Sequence, residues 1–316
     1  MNSIYNIFFA PYLNWSYIDK SIKVRVRVVE RPAYSLTKEE ADELRESLKQ
    51  IVKKSIPKEN LNYGIFSETS DAFKNNVITI IYNLEDNRPI AFNSLAWIKC
   101  NLRGKDEDLL HLGLVVIDPD VREGGLSWIL YGLTTILLFV RKKLNPIWVS
   151  NVTQVPAIIG KVCQSFDRMY PTPENLGKPP FVHTWLVRQI MKDNRHVFGV
   201  GPDAEFDAEK FIIKNSYTGG SDHLKKKFTE AQPHRDVVYN NFCKDNLDYD
   251  RGDDFIQIGQ INLDMTKNFI MKSVPKSSVV RISISLVFVS LQSILSPVLL
   301  WLDSDKKYGD LRPWKK

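Results

Sequence analysis

The chain has 316 residues, 43% hydrophobic and 25% charged, with 43 basic against 37 acidic residues and a formal charge of +6. That length buries one large core or two modest ones, and the composition is ordinary for a globular protein. The basic excess is too small to argue for nucleic acid, which is excluded as an expected partner, and it suits an anionic cofactor or an anionic membrane surface equally.

In chain order, residues 1–20 carry clustered aromatics (Tyr5, Phe8, Phe9, Tyr12, Trp15, Tyr17) but no basic segment, apolar core and cleavage site of a signal peptide. They read as an arm packed on the domain, with a membrane interface as the alternative. Residues 22–30, IKVRVRVVE, alternate Val24, Val26 and Val28 with Lys23, Arg25 and Arg27, the pattern of a half-buried strand. Thr37 and Glu40 form a capping box for a helix over about 37–55, with Ala41, Leu44, Leu48, Ile51 and Val52 on its apolar face. Residues 77–83 and 89–99 read as a hairpin around Glu85–Arg88, and 109–117 as a further strand. An apolar helix over about 125–142 ends in Arg141-Lys142-Lys143, a strand over 147–150 follows Asn145-Pro146, and Pro156 opens a helix to about Cys163. Beyond Tyr170 the signals weaken; FIIKNSYT looks like a strand and 221–250 like solvated helix and loop.

The order of elements predicts an α/β fold, a mixed, mostly antiparallel sheet flanked by helices. The expected divisions are an arm (1–20), a main domain (21–220), a charged extension (221–278), an apolar segment (279–303) and a tail (304–316). Within the apolar segment, residues 282–302 carry no charge. As helix they would extend about 30 Å, enough for a bilayer core. Five serines, Gln292 and Pro297 weaken that span; a membrane helix and a buried soluble helix are both open. Three cysteines, Cys100, Cys163 and Cys243, lack metal spacing and point to a reducing compartment, hence a cytoplasmic protein.

Between the strand ending at Ile117 and the next helix lies DPDVREGGLS, with Arg122, Gly124, Gly125 and Ser127. A glycine-bearing turn into a helix leaves backbone N–H groups open and close to the positive end of the helix dipole, a phosphate site that Arg122 would reinforce. A tight turn that needs glycine without a ligand explains the same residues. The spacing is neither that of a P-loop nor that of a dinucleotide fingerprint.

The spacing Pro119-x-x-Arg122-x-x-Gly125-x-Ser127 resembles the acyl-CoA pyrophosphate loop of the GNAT superfamily of N-acyltransferases. VSNVTQVPAIIGKVCQSF, 149–166, is similar to the superfamily's next strand and helix, with Gln154, Ala157, Ile158, Ser165 and Phe166 in the motif positions. The likeness implies that acyl-CoA is the co-substrate and that an amine is the acceptor; the lack of metal-ligand spacing predicts no metal. It places the pantetheine arm against Leu114, Val115 and Ile117, and the pyrophosphate against the N–H groups of Arg122, Glu123, Gly124, Gly125, Leu126 and Ser127, with Ala157 also on the cofactor. An amide near Leu114 or Val115 would polarise the thioester carbonyl. His111 falls on the strand where relatives carry a glutamate base, and its intrinsic pKa suits that role. Lys161 stands where the superfamily has a tyrosine acid, a departure that leaves Tyr131, Tyr170 or solvent as alternatives.

The resemblance leaves three functions open: a long-chain acyl transfer to an amino acid or amino lipid at a membrane, a soluble N-acetyltransferase of a small amine or protein lysine, and an inactive acyl-CoA-binding protein. Asp248, Asp250, Asp253 and Asp254 lack calcium-loop spacing and read as a solvated acidic loop. His183, His196, His223 and His234 show no paired zinc spacing.

Overall fold

The computed structural model describes residues 10–55, 64–66, 71–102, 104–124, 126, 128–219 and 225–267. Residues Met1–Asn268 form one compact unit; the remaining unit, Phe269–Lys316, and with it the apolar stretch 282–302, lies outside the described residues.

The strands are β1 (Asn14–Asp19), β2 (Val24–Glu30), β3 (Asn76–Asn83), β4 (Pro89–Leu102), β5 (Lys105–Leu112), β6 (Val115–Ile117), β7 (Ile147–Thr153), β8 (Asp167–Tyr170), β9 (Glu205–Asp207), β10 (Ile212–Lys214) and β11 (Asp254–Ile261). They join in one sheet of order β1-β2-β3-β4-β5-β7-β11-β10-β9, with β6 on β4 and β8 on β11. Every pairing is antiparallel except that of β5 with β7. The α-helices that cover it are α1 (Lys38–Ser55), α2 (Thr134–Arg141), α3 (Pro156–Ser165), α4 (Phe181–Gln189) and α5 (Val237–Asn246), with four-residue turns at 32–35 and 72–75. The fold class is that expected from the order of elements: α/β, with a mostly antiparallel mixed sheet between helices.

Side-chain alternation sorts the core by face. Helix α1, closed by the expected box (Glu40 N–H to Thr37 Oγ1 at 3.2 Å, Thr37 N–H to Glu40 Oε2 at 3.0 Å), packs Leu44, Leu48, Ile51 and Val52 on Ile78, Ile80 and Phe92. On the opposite face α2 sets Leu137, Leu138 and Phe139 against Val26, Ile81, Leu110 and Val149. Helix α4 covers Ile98, Leu109, Ile256 and Ile258. Helices α3 and α5 meet over Phe255, which stacks on Phe242 at 4.6 Å between ring centroids.

Three expectations change. The sheet crosses the anticipated divisions: β1 comes from the arm 1–20, and β11 from the extension 221–278 enters between β7 and β10. Strand β11 is buried along all eight residues. Gln257 interrupts an apolar reading but is satisfied inside, its Nε2 donating to Pro171 O at 3.2 Å and its Oε1 accepting from Asn151 Nδ2 at 3.1 Å. The strand expected over 109–117 divides into β5 and β6 around Gly113, and the helix expected over 125–142 is α-helical only from Thr134. Before it stand a 3-10 turn, Pro119–Gly124, and a π-helical turn, Trp128–Leu133. There the Asn93 side-chain amide donates to Leu130 O, and Thr135 Oγ1 donates to Tyr131 O at 2.7 Å. Side chains inserted into the main-chain ladder are a recognised cause of such irregular turns.

Asp118, at the end of β6, is 1% exposed. Burial works against its charge, yet the Asp120 amide, Lys54 and Arg88 hold its carboxyl below the usual range. Lys54 Nζ lies 2.9 Å and Arg88 Nη1 2.6 Å from Oδ2. This pins the strand end at which the following turn begins.

Candidate active site

The parallel pairing of β5 with β7 lasts for three residues, Leu110↔Val149, His111↔Ser150 and Leu112↔Asn151. The chain then swings away. Ser94 N–H donates to Leu114 O at 2.8 Å, and β6 continues on β4 through Asn93↔Val115, Phe92↔Val116 and Ala91↔Ile117. From His111↔Ala96 to Val115↔Asn93 the outer strand advances four residues against three on β4, a bulge of one. Gly113 sits at this bulge because a Cβ there would run into the Ser94 carbonyl. Among the described residues β6 pairs with β4 alone, so its other edge and the facing edge of β7 stand apart. Two neighbouring parallel strands splay open at a one-residue bulge, in a sheet otherwise antiparallel. The fold is GNAT-like.

No family model and no curated protein matches the chain. Solved structures with partial similarity include a probable N-acyltransferase from Enterococcus faecalis, 14% identical over 46% of this chain and 34% of that one, TM-score 0.30. A GNAT family acetyltransferase from Staphylococcus aureus is 13% identical over 39% of this chain and 81% of its own, TM-score 0.21. Saccharomyces cerevisiae N-myristoyltransferase with bound myristoyl-CoA is 11% identical over 48% of this chain and 27% of its own, TM-score 0.21. The chain spans about half (49%) of the AtaT toxin that it also matches.

The GNAT-like splay holds a cavity of about 960 Å³ whose walls come from both faces of the sheet. Gly113, Leu114 and Val115 form one side, and Asn151, Val152 and Thr153 the other. His111, Ser94 and Asn76 make a polar floor, with Asn76 Nδ2 donating to Ser94 Oγ at 2.6 Å. Residues 194 and 196–198 roof it, and Tyr131 reaches it from the π-helical turn.

His111 is 5% exposed, with Nδ1 3.0 Å from Ser150 Oγ and its ring 4.9 Å from that of Phe198. Burial pushes its pKa down to about 4. It therefore stays neutral at ordinary pH and is a far weaker base than its intrinsic value promised. The linkage runs one way: between about 6.5 and 4 the unfolded chain binds a proton that the folded chain refuses. Stability is expected to fall as pH drops through that window, and His111→Gln to flatten the slope. Urea melts of both proteins at pH 7 and pH 5 check this; parallel losses would show that His111 is not the group responsible.

The remaining residues separate clearly. Leu114 and Val115 line the cavity. Ile117 does not: it pairs with Ala91, and its carbonyl accepts from Ser55 Oγ at 3.3 Å. Ala157 N–H donates to Gln232 O at 3.1 Å, and its neighbours Val155 and Ile158 line the cavity. Lys161 is exposed on α3 and is not among the residues that line the cavity; it stands one turn beyond Ile158, which is. Arg122, Glu123 and Gly124 lie in the 3-10 turn, whose i→i+3 pattern takes up main-chain N–H groups that a direct strand-to-helix turn would leave open. Leu126 is 3% exposed and accepts from the N–H groups of Ile129 and Leu130, both at 3.1 Å. Gly125, Ser127 and His223 lie outside the described residues.

Of the alternative acids, Tyr131 borders the cavity, with burial pushing its phenol up to about 12. Tyr170 does not; its hydroxyl donates to Glu209 O and accepts from Gly177 N–H at 3.1 Å within the core. Cys163 is a packed thiol that burial pushes up to about 12. Among the described residues no group of three or more His, Cys, Asp or Glu is placed to hold a metal ion, and no helix is long and apolar enough to cross a membrane.

Sequence reasoning missed the far wall of the cavity, Ser216, Tyr217, Lys226 and Asp254. Asp254 belongs to a run that reads from sequence as a solvated acidic loop, yet it is 3% exposed and opens β11. The one available signal was its position immediately before the alternating stretch FIQIGQI.

Proposed function

We propose that the protein is an acyl-CoA-dependent N-acyltransferase that moves an acyl group from a CoA thioester to an amine inside the splay between β6 and β7. The observation that carries this reading is the cavity beside Val115 of β6, whose outer edge pairs with no strand among the described residues. An extended pantetheine arm suits such an edge, because main-chain groups can bond it as a further strand would. An amide of Leu114 or Val115 would then polarise the thioester carbonyl. The polar floor of His111, Ser94 and Asn76 favours a short acyl group over a long alkyl chain, which would leave those groups without partners. His111, held neutral against Ser150, orients the reacting groups by hydrogen bonding. The leaving thiolate takes its proton from solvent, because burial pushes the Tyr131 phenol up to about 12, too high for an effective donor. Arg122, in the turn Pro119–Gly124, would supply a cation to the pyrophosphate end.

A thermal-shift series with acetyl-, butyryl-, octanoyl- and palmitoyl-CoA tests this. A ligand at 100 times its Kd adds about 2.7 kcal/mol, which for a chain of this size raises Tm by roughly 5–10 °C. Acetyl- and butyryl-CoA are expected to give the larger shifts. A shift below about 1 °C with every ester at millimolar concentration would remove the basis of the proposal.

A further inference from the structure

We infer that Asp254 is the group that takes the proton from the attacking amine; this rests on the acyltransferase reading above. Three observations lead to it. The first is position. Leu112 pairs with Asn151, and Phe255 with Thr153. Continued by two residues, with the bulge allowed for, the register sets Leu114–Val115 on one side of the gap and Asp254 on the other within about a residue of the same height. His111 stands about three residues lower, on the floor. The second is orientation. Asp254 alternates in step with Ile256 and Ile258, which pack with Leu109, and His111 is in step with Leu109; the two side chains share a face of the sheet and line one cavity.

The third is how the carboxyl is held. It is 3% exposed and has no cation within salt-bridge distance among the described residues. Arg251, the nearest guanidinium in sequence, is committed to Asp253, Nη2 to Oδ2 at 2.6 Å. Ser216 bonds Asp254, and the Tyr217 hydroxyl lies 3.1 Å from its Oδ1 and 2.6 Å from the Gln154 amide. A carboxylate so placed is anchored by hydroxyls but not neutralised, which leaves its charge for something that enters the cavity. The groups that face it are Tyr217 and Ser216 on their turn, Asp253 beside it, Tyr249 ahead of β11, Lys226 on the same wall, and His196 across the cavity. Burial is the largest influence and Asp253 adds to it; Ser216 and Tyr217 oppose, and the carboxyl rests at about 7. A base is most effective when its pKa is close to the working pH.

The step balances without a further reagent. The amine nitrogen bonds to the acyl carbon, one N–H proton passes to the Asp254 carboxylate, and the C–S bond breaks with its electron pair on sulfur. The thiolate takes a proton from water, and the proton that Asp254 returns to solvent neutralises the hydroxide left behind.

The test uses the full chain with acetyl-CoA as donor and ethanolamine, spermidine, lysine and octylamine as acceptors. CoA-thiol release is followed from pH 5.5 to 9, with calorimetric acetyl-CoA affinity and Tm measured alongside. In the wild type, release should climb about tenfold per pH unit up to a plateau beginning close to pH 7. Asp254→Asn should bind acetyl-CoA within about twofold of wild type, lose roughly 100-fold or more in release, and lose the acid limb. Tyr217→Phe removes a hydroxyl that favours the ionised carboxyl, so its acid limb should move to higher pH with acetyl-CoA affinity kept. Release by Asp254→Asn within about threefold of wild type, or an unmoved limb in Tyr217→Phe, overturns the role. If Asp254→Asn fails to fold, the Tyr217→Phe profile alone decides. A wild type that binds acetyl-CoA but releases none with any of the amines also overturns it, while leaving a CoA site; a wild type that binds no acetyl-CoA brings down the acyltransferase reading itself.

Discussion

Phe255→Ala is expected to cost about 4 kcal/mol and to lower Tm by roughly 10 °C. Phe255 is fully buried, stacks on Phe242, and packs with Ile159, Ile212 and Cys243 where α3 and α5 meet the sheet. Truncation to alanine removes the ring and leaves a cavity that these neighbours fill only in part, since each is fixed by its own helix or strand. The site also bears on chain organisation, because Phe255 belongs to a stretch that reads from sequence as a charged extension. Were that stretch peripheral, the loss would be no larger than that of Val237→Ala, a residue 61% exposed on α5, for which a change within about 0.5 kcal/mol is expected. Chemical denaturation of the three proteins gives the comparison; equal midpoints would remove β11 from the core.

Gly113→Ala should cost about 2–3 kcal/mol and weaken acetyl-CoA binding at least about tenfold. The added methyl is aimed at the Ser94 carbonyl, a main-chain atom that no rotamer change can move aside. Relief comes from pushing β6 off β4, which strains the Ser94–Leu114 hydrogen bond and narrows the opening toward β7. Calorimetry with acetyl-CoA separates the two effects when run well below the variant's Tm. A variant that is destabilised yet binds as tightly as wild type would show that the width of the splay does not govern access. Gly104 provides the contrast: at φ +80° it is strained for other residues, but a Cβ there meets nothing, so Gly104→Ala should cost stability and spare binding.

The first half of the fold was legible because its signals are local. The Val24-Val26-Val28 alternation, the Thr37–Glu40 box and the turn Glu85–Arg88 each specify their element within a few residues, and each appears where expected. The splay was legible only through the likeness, since the departure of β6 from β7 depends on one glycine meeting a carbonyl on a strand paired from the other side. His111 was found on its strand, but its basicity was misjudged because burial, which sets it, is a property of Phe198 and the roof beyond residue 190. Asp254 was hidden by its neighbours. Asp248 and Asp250 make a stretch that is solvated in part, and nothing local distinguishes the carboxyl that turns inward. Ala157 and Lys161 lie on α3, whose packing against α5, an element nearly eighty residues later in the chain, no local signal reports.

Strand β11 also has a consequence for how the molecule is made. It occupies the interior of the sheet between β7 and β10, yet a hundred residues separate it from the end of β7. During synthesis, β7 must therefore leave the ribosome with an edge unclaimed and wait while residues 154–253 are translated, about 5–20 s at ordinary elongation rates. Such a wait exposes main-chain groups suited to pairing with other nascent chains, and it makes this protein a natural client for factors that shield strand edges until the last partner arrives.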